Sequence, residues 1–205
     1  MYLHLKCLTK FIILVKKPYI VLVVWIGEKA IVREKLKDLA IKNNLNTRDA
    51  WQPYNTYFGV LLDFLNLNTV YWSPWKRFGV YLKSWAVFLK SLISFPEYVF
   101  LQWWIDQSGE SQYFLKNLDP NMIVFTDIKS ELGEDYSKIY VIQQEFSQMI
   151  WFLNKKAKSN FSEIKDLSEL IDIIQTKNNW VWVVYSWDPK IKDIWSKLSQ
   201  SIAIK

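Results

Sequence analysis

Few residues in this sequence can carry titratable or nucleophilic chemistry. His4 is the only histidine and Cys7 the only cysteine. No Cys/His set with zinc-ligand spacing therefore exists, no internal disulfide can form, and no catalytic dyad can draw an imidazole from the body of the chain. A lone thiol fits a reducing, cytoplasmic setting. What remains are carboxylates, amides and lysines, which acquire chemistry only where the fold gathers them. Lys35, Lys37, Asp38 and Lys42 interleave as a solvated helix face does, and Lys155, Lys156 and Lys158 form only a short run. The net charge of +6 therefore reads as a basic surface and not as a nucleic-acid groove.

The elements that must position such residues alternate. Residues 3–16 are apolar and predict a helix that Lys17-Pro18 ends, because proline disfavours the helical conformation in the residue before it. Tyr19 to Val24 is a continuous β-branched run, the pattern of a parallel strand buried on both faces. Residues 29–42 place Ile31, Val32, Leu36, Leu39 and Ala40 on one helical face. After a polar stretch come helices at about 58–65 and 76–92, a strand at Tyr98–Trp103, a helix ending near Leu118 and a strand at Met122–Thr126. Helices are then predicted at about 136–153 and 162–176, a fourth strand at Val181–Tyr185, and a last helix from Asp188-Pro189 to about Ser201.

Strands separated by helices predict an α/β fold, a mostly parallel sheet flanked by helices in one large domain. Ligands in such sheets bind at the carboxyl ends of the strands. The candidate sites are thus the turns after Val24, Trp103, Thr126 and Tyr185. Phe11 to Ile26 and Trp85 to Leu101 are apolar but are interrupted by lysine, proline or glutamate, so neither is expected to span a bilayer. No small-residue cleavage site follows the first of them, as a signal peptide would require. Residues 1–16 read as a packed helix, with peripheral membrane contact as the competing role.

Four collinear segments resemble the ATP-binding middle domain of the Mur ligases. KPYIVLVVWIGEKAIVRE (17–34) is similar to the strand, T-G-x-x-G-K-T phosphate loop and helix that open that domain, a P-loop-type fold. YNTYFGVLLDFLNL (54–67) resembles N-Y-N-T-E-x-G-V-P-L-x-x-L-x-L. PEYVFLQWWIDQSGESQYFLKNLDPNMIVFTDI (96–128) resembles P-E-x-x-V-L-E-x-G-x-D-x-x-G-D followed by P-D-x-x-V-x-T. WVWVVYSWDP (180–189) resembles G-V-A-V-L-N-A-D-D-P. The match runs from residue 1 to about 195, with an apparent insertion at about 154–179. Little chain follows Lys190, so the family's C-terminal domain is expected to be absent, or supplied by a separate chain.

The resemblance implies ATP-dependent amide ligation in peptidoglycan precursor synthesis, with ATP and Mg²⁺ as cofactors. It implies a nucleotide and a UDP-muramoyl-peptide-like substrate as partners, as in the UDP-N-acetylmuramoyl-tripeptide–D-alanyl-D-alanine ligase type. Position by position, most of that chemistry is replaced. Lys29 keeps the phosphate-loop lysine, but Trp25 and Glu28 stand at its two glycines and Ala30 at its hydroxyl, with Gly27 between. A carboxylate at Glu28 repels a triphosphate, and Lys29 also reads as an ordinary first-turn helix lysine. Gln102 takes the place of the metal-binding glutamate, and a neutral amide is a poorer ligand for a hard cation. Phe146, or Leu167 in the other register, takes that of the carbamylated lysine, and Tyr185 that of the adenine-contacting asparagine. Asn55 and Thr56 in the substrate-side loop, Asp106 and Gly109 in the turn, and Asp188 at a helix start are retained, although Asp106 and Asp188 also fit plain helix caps. The expectation is a weakened or inactive ligase, against a non-catalytic binding or scaffold module that keeps the fold and, third, an unrelated P-loop-like nucleotide binder.

Glycine is scarce, 5 residues against 12 tryptophans, where ordinary usage would supply about 14. Trp25, Trp104 and Trp180 fall on family glycines and Trp182 on a small residue. Some bacterial lineages read UGA as glycine and others as tryptophan, which leads to a hypothesis of decoding with the wrong table. Sequencing the gene is expected to show UGA at these four codons; UGG there would sink the idea.

Overall fold

A computed structural model describes residues 2–26, 31–48, 57–67, 74–104, 110–128, 144, 145, 148, 160–163, 168–175 and 181–184. In chain order these form α1 (Tyr2–Lys16), β1 (Tyr19–Ile26), α2 (Ile31–Lys42), β2 (Thr47–Arg48), α3 (Tyr57–Phe64), α4 (Pro74–Ile93), β3 (Tyr98–Trp104), α5 (Glu110–Leu118), β4 (Met122–Ile128), β5 (Asn160–Glu163), α6 (Ser168–Gln175) and β6 (Val181–Val184). Among the described residues the strands make one six-stranded sheet in the order β2-β3-β1-β4-β6-β5. Every pairing is parallel.

The β-branched run that predicted a doubly buried strand is the sheet's centre. β1 pairs with β3 from Tyr19↔Tyr98 to Trp25↔Trp104 and, on its other side, with β4 from Val21↔Met122. Its side chains alternate between two cores. Ile20, Leu22 and Val24 join Val99, Leu101, Trp103 and Ile123 beneath α1, α3, α4 and α5, whereas Tyr19, Val21 and Val23 join Tyr98, Phe100, Met122 and Val124 beneath α2 and α6. The two layers follow from the direction of each connection. The links β1→β2 and β5→β6 run one way across the sheet and carry α2 and α6; β2→β3 and β3→β4 run the other way and carry α3, α4 and α5. A constant crossover hand puts the two sets on opposite faces.

Two of the six strands went unread in the sequence. β2 lies in the polar stretch before Trp51 and pairs over only two residues, Thr47↔Tyr98 and Arg48↔Val99. β5 replaces the first part of the helix expected at 162–176. Asn160–Glu163 instead pairs alongside Val181–Val184, and the helix starts at Ser168, where Ile171 and Ile174 begin the buried stripe. The segment 154–179, an insertion in the Mur ligase alignment, thus contributes an edge strand and its crossover helix. Of the helix expected at 136–153, Gln144, Glu145 and Gln148 are helical and the rest lies outside the described residues, as does the expected helix after Asp188-Pro189.

Helix ends here are made without glycine. Lys17, Asn44, Asn66 and Asp119 have φ of 48°, 57°, 53° and 49°, the left-handed conformation that commonly closes a helix. Leu45 N–H donates to the Ala40 carbonyl at 2.9 Å and Leu67 N–H to the Leu62 carbonyl at 2.8 Å, the long-range bonds of that closure. Asparagine tolerates the conformation, but a lysine does so at a steric cost of roughly 1–2 kcal/mol. Lys17→Gly is therefore expected to raise stability by about 0.5 kcal/mol after its unfolded-state entropy is set against the relief; a lower thermal midpoint would contradict this.

Candidate functional site

The connections that leave β1 and its neighbour β3 run in opposite directions across the sheet. β1 leaves toward α2 on one face, and its neighbour β3 leaves toward α5 on the other. In open α/β sheets the crevice at such a switch, outside the strands' carboxyl ends, is where ligands bind. β4 ends beside them with an extra residue between Phe125 and Ile128, opposite Val24 and Ile26 of β1. Bulges of this kind bend a strand and re-aim its residues.

Two positions that resemble family glycines meet here. Trp25 and Trp104 are register partners on the last rung of the β1/β3 ladder. Gln102 lies two residues earlier, in register with Val23, which in turn faces Val124. By strand alternation its side chain joins the α2/α6 face. It is 4% exposed, and its Oε1 is buried without a hydrogen-bond partner. The cause is its company: the flanking rungs hold valines. Trp103, on the opposite face, is wholly buried against Phe114 with ring centroids 4.5 Å apart, and its Nε1 is also unpartnered. The carboxyl end of β3 thus holds one unpartnered polar atom on each face.

Next along the chain, α5 begins against a carboxylate. Ser111 N–H donates to Glu145 Oε2 at 2.8 Å, with Ser111 and Glu145 both fully buried. A carboxylate on first-turn amides also meets the positive end of the helix dipole. This contact went unread in the sequence, although a signal exists: Glu145 is the only charged residue between Lys138 and Lys155. An anion-binding position beside the crevice is therefore filled by the protein's own side chain.

At the other end of the sheet the tyrosines are structural. Tyr19 and Tyr98 are buried partners with ring centroids 5.9 Å apart, and burial first, then the neighbouring phenol, pushes the Tyr19 hydroxyl far above its ordinary pKa. Asn121 stitches this end. Its N–H donates to the Ile20 carbonyl at 2.9 Å and its Oδ1 accepts from Ile20 N–H at 2.8 Å.

The structure brings Trp25 and Gln102 to one end of β1 and β3. Gly27, Glu28, Lys29, Ala30, Asn55, Thr56, Asp106 and Asp188 lie outside the described residues, as do Phe146, Leu167 and Tyr185. Among the described residues no group of three His, Cys, Asp or Glu side chains could hold a metal ion. Gln102 offers a cation one neutral oxygen, buried away from the surface. No family model matches the chain, and no curated protein or solved structure does.

An unpartnered buried oxygen costs roughly 1–3 kcal/mol. Gln102→Met, similar in volume and without the amide, is expected to stabilise the protein by about 1 kcal/mol in urea unfolding. A clear loss of stability would mean that the amide is satisfied in solution.

Proposed function

We propose that this chain is a degenerate Mur ligase-like domain: a nucleotide-binding fold derived from ATP-dependent amide ligases of peptidoglycan precursor synthesis, with its ligase chemistry weakened or lost. The observation that supports it is the placement of two segments. The stretch resembling a phosphate loop begins at the end of β1, and the stretch resembling the metal-binding strand is β3, its register partner on the side where the connections diverge. A nucleotide at the switch point would meet both.

In this reading Lys29 would balance phosphate charge, and Asn55 and Thr56 would face the acceptor substrate. Loss of ligase chemistry follows from substitution. Glu28 places negative charge where a triphosphate would lie, Ala30 removes the hydroxyl, and Gln102 removes the metal's carboxylate. Glycine at 25 and 104, as the decoding hypothesis has it, would open the backbone at the last rung and leave those three substitutions in place.

The competing reading, a non-catalytic binding or scaffold module, draws support from the unpartnered Gln102 oxygen among valines and from the Glu145 carboxylate that already occupies the first turn of α5. Thermal shift separates the two. A ligand at one hundred times its Kd stabilises the folded state by about 2.7 kcal/mol. For a chain of 205 residues that corresponds to a midpoint rise of roughly 5–11 °C. Millimolar Mg-ATP is expected to raise the midpoint, and Lys29→Ala to abolish the rise. No response at saturating nucleotide would favour the module.

A further inference from the structure

Two helices on the same face of the sheet present surfaces that neither core covers. On α4 the exposed large side chains Trp75, Phe78, Leu82, Trp85, Leu89 and Ile93 recur every three or four residues, one continuous stripe, with Trp75 83% and Ile93 87% exposed. The buried face of the same helix holds Val80, Ser84, Phe88 and Ser91. Both of those serine hydroxyls donate back to helix carbonyls, Ser84 to Tyr81 and Ser91 to Val87, each at 2.7 Å. The helix is thus more apolar outside than inside, the reverse of what a core helix needs.

Beside it, α1 exposes Leu3, Cys7, Lys10, Phe11 and Leu14 at the same spacing. The two helices are held together along their length. His4 Nε2 lies 2.8 Å from the Ser84 hydroxyl, the His4 ring lies against Tyr81 with centroids 4.4 Å apart, and Phe11 meets Phe88 edge-on at 5.4 Å. Their stripes therefore belong to one surface.

Charge on these two helices is of one sign. α1 carries Lys6, Lys10 and Lys16, α4 carries Lys76, Arg77, Lys83 and Lys90, and neither contains an acidic residue. Removing these seven from the chain's 26 basic residues leaves 19 against 20 acidic, so α1 and α4 account for the whole net charge of +6. Lys10, Lys17, Lys83 and Lys90 are exposed.

From this pairing of an exposed apolar stripe with an exclusively cationic border, we infer that the α1/α4 face docks on an anionic lipid bilayer, lying in the interface. Apolar side chains reach the acyl boundary while lysines meet lipid phosphates, as in surface-lying amphipathic helices. Among the described residues no helix is long and apolar enough to cross a membrane. A nucleic acid would leave the leucines and Phe78 in water, and an acidic protein groove would need its own apolar floor, so the bilayer matches both halves of the surface. The inference is independent of the nucleotide reading, since it uses the exposed stripes of α1 and α4 and none of the residues assigned to the crevice.

Cys7, the only cysteine, is exposed on this face and accepts a single environment-sensitive fluorophore. Labelled full-length chain would be mixed with phosphatidylcholine vesicles, with and without phosphatidylglycerol, and followed by emission and co-sedimentation. A blue shift and sedimentation are expected with the anionic vesicles only, weakening as NaCl is raised from about 0.1 to 0.5 M. Lys83→Glu/Lys90→Glu is expected to lower partitioning at least about tenfold, and Leu82→Glu/Leu89→Glu to abolish it. All four side chains are exposed, so both variants should melt cooperatively near the parent midpoint. Failure of the parent chain to bind anionic vesicles overturns the inference, as does binding that neither salt nor either variant changes. A dimer that ignores vesicles and is dispersed by Leu82→Glu/Leu89→Glu would overturn it in favour of a second copy of the chain.

Discussion

β1 has no exposed side. Its backbone is hydrogen-bonded to β3 on one edge and β4 on the other, and from Ile20 to Val24 its side chains are at most 1% exposed. Each such aliphatic side chain contributes about 1.5–3 kcal/mol on burial. Because every residue must be apolar and most are β-branched, the strand can carry no chemistry along its length. Function is pushed to its ends. The amino end is closed by Asn121, Tyr19 and Tyr98, and at the carboxyl end β1 and β3 lead to helices on opposite faces.

That constraint explains why the central fold was legible and its margins were not. A strand buried on both faces announces itself as an unbroken apolar run, as β1 does, and β3 and β4 open on runs of four apolar residues, Tyr98–Leu101 and Met122–Phe125. Helices α2 and α6 show one buried stripe each. β2 has no such signature, since Thr47 and Arg48 gain their strand character from Tyr98 and Val99 and not from their own side chains. β5 was hidden by a stronger helical signal just downstream, where Ile171 and Ile174 set the period. The position of Gln102 on the strand was legible. Its burial among Val23 and Val124 was not, because cross-strand neighbours come from register, and the contact between Ser111 and Glu145 spans 34 residues.

The glycine shortage has a structural counterpart. Four helix ends adopt the left-handed conformation on Lys17, Asn44, Asn66 and Asp119, positions where glycine is the commonest solution. None of the four is tryptophan. The four positions of the decoding hypothesis, Trp25, Trp104, Trp180 and Trp182, are none of these caps. Part of the scarcity is thus a property of the fold, which closes these helices with asparagine, lysine and aspartate.

The sheet also narrows toward its margins. β1 and β3 share seven paired positions, while β2 meets β3 over two and β5 meets β6 over four. An open parallel sheet always ends in two rows of unsatisfied amides and carbonyls, and a long, flat row is a template on which other chains can add strands. Here the most aggregation-prone sequence, the Val- and Ile-rich core of β1, is sealed at the centre. Among the described residues the margins are brief and carry Arg48 at one edge and Glu163 at the other. Fibril growth by edge addition would find little to start from, and exposing a competent template would require unfolding the middle of the sheet.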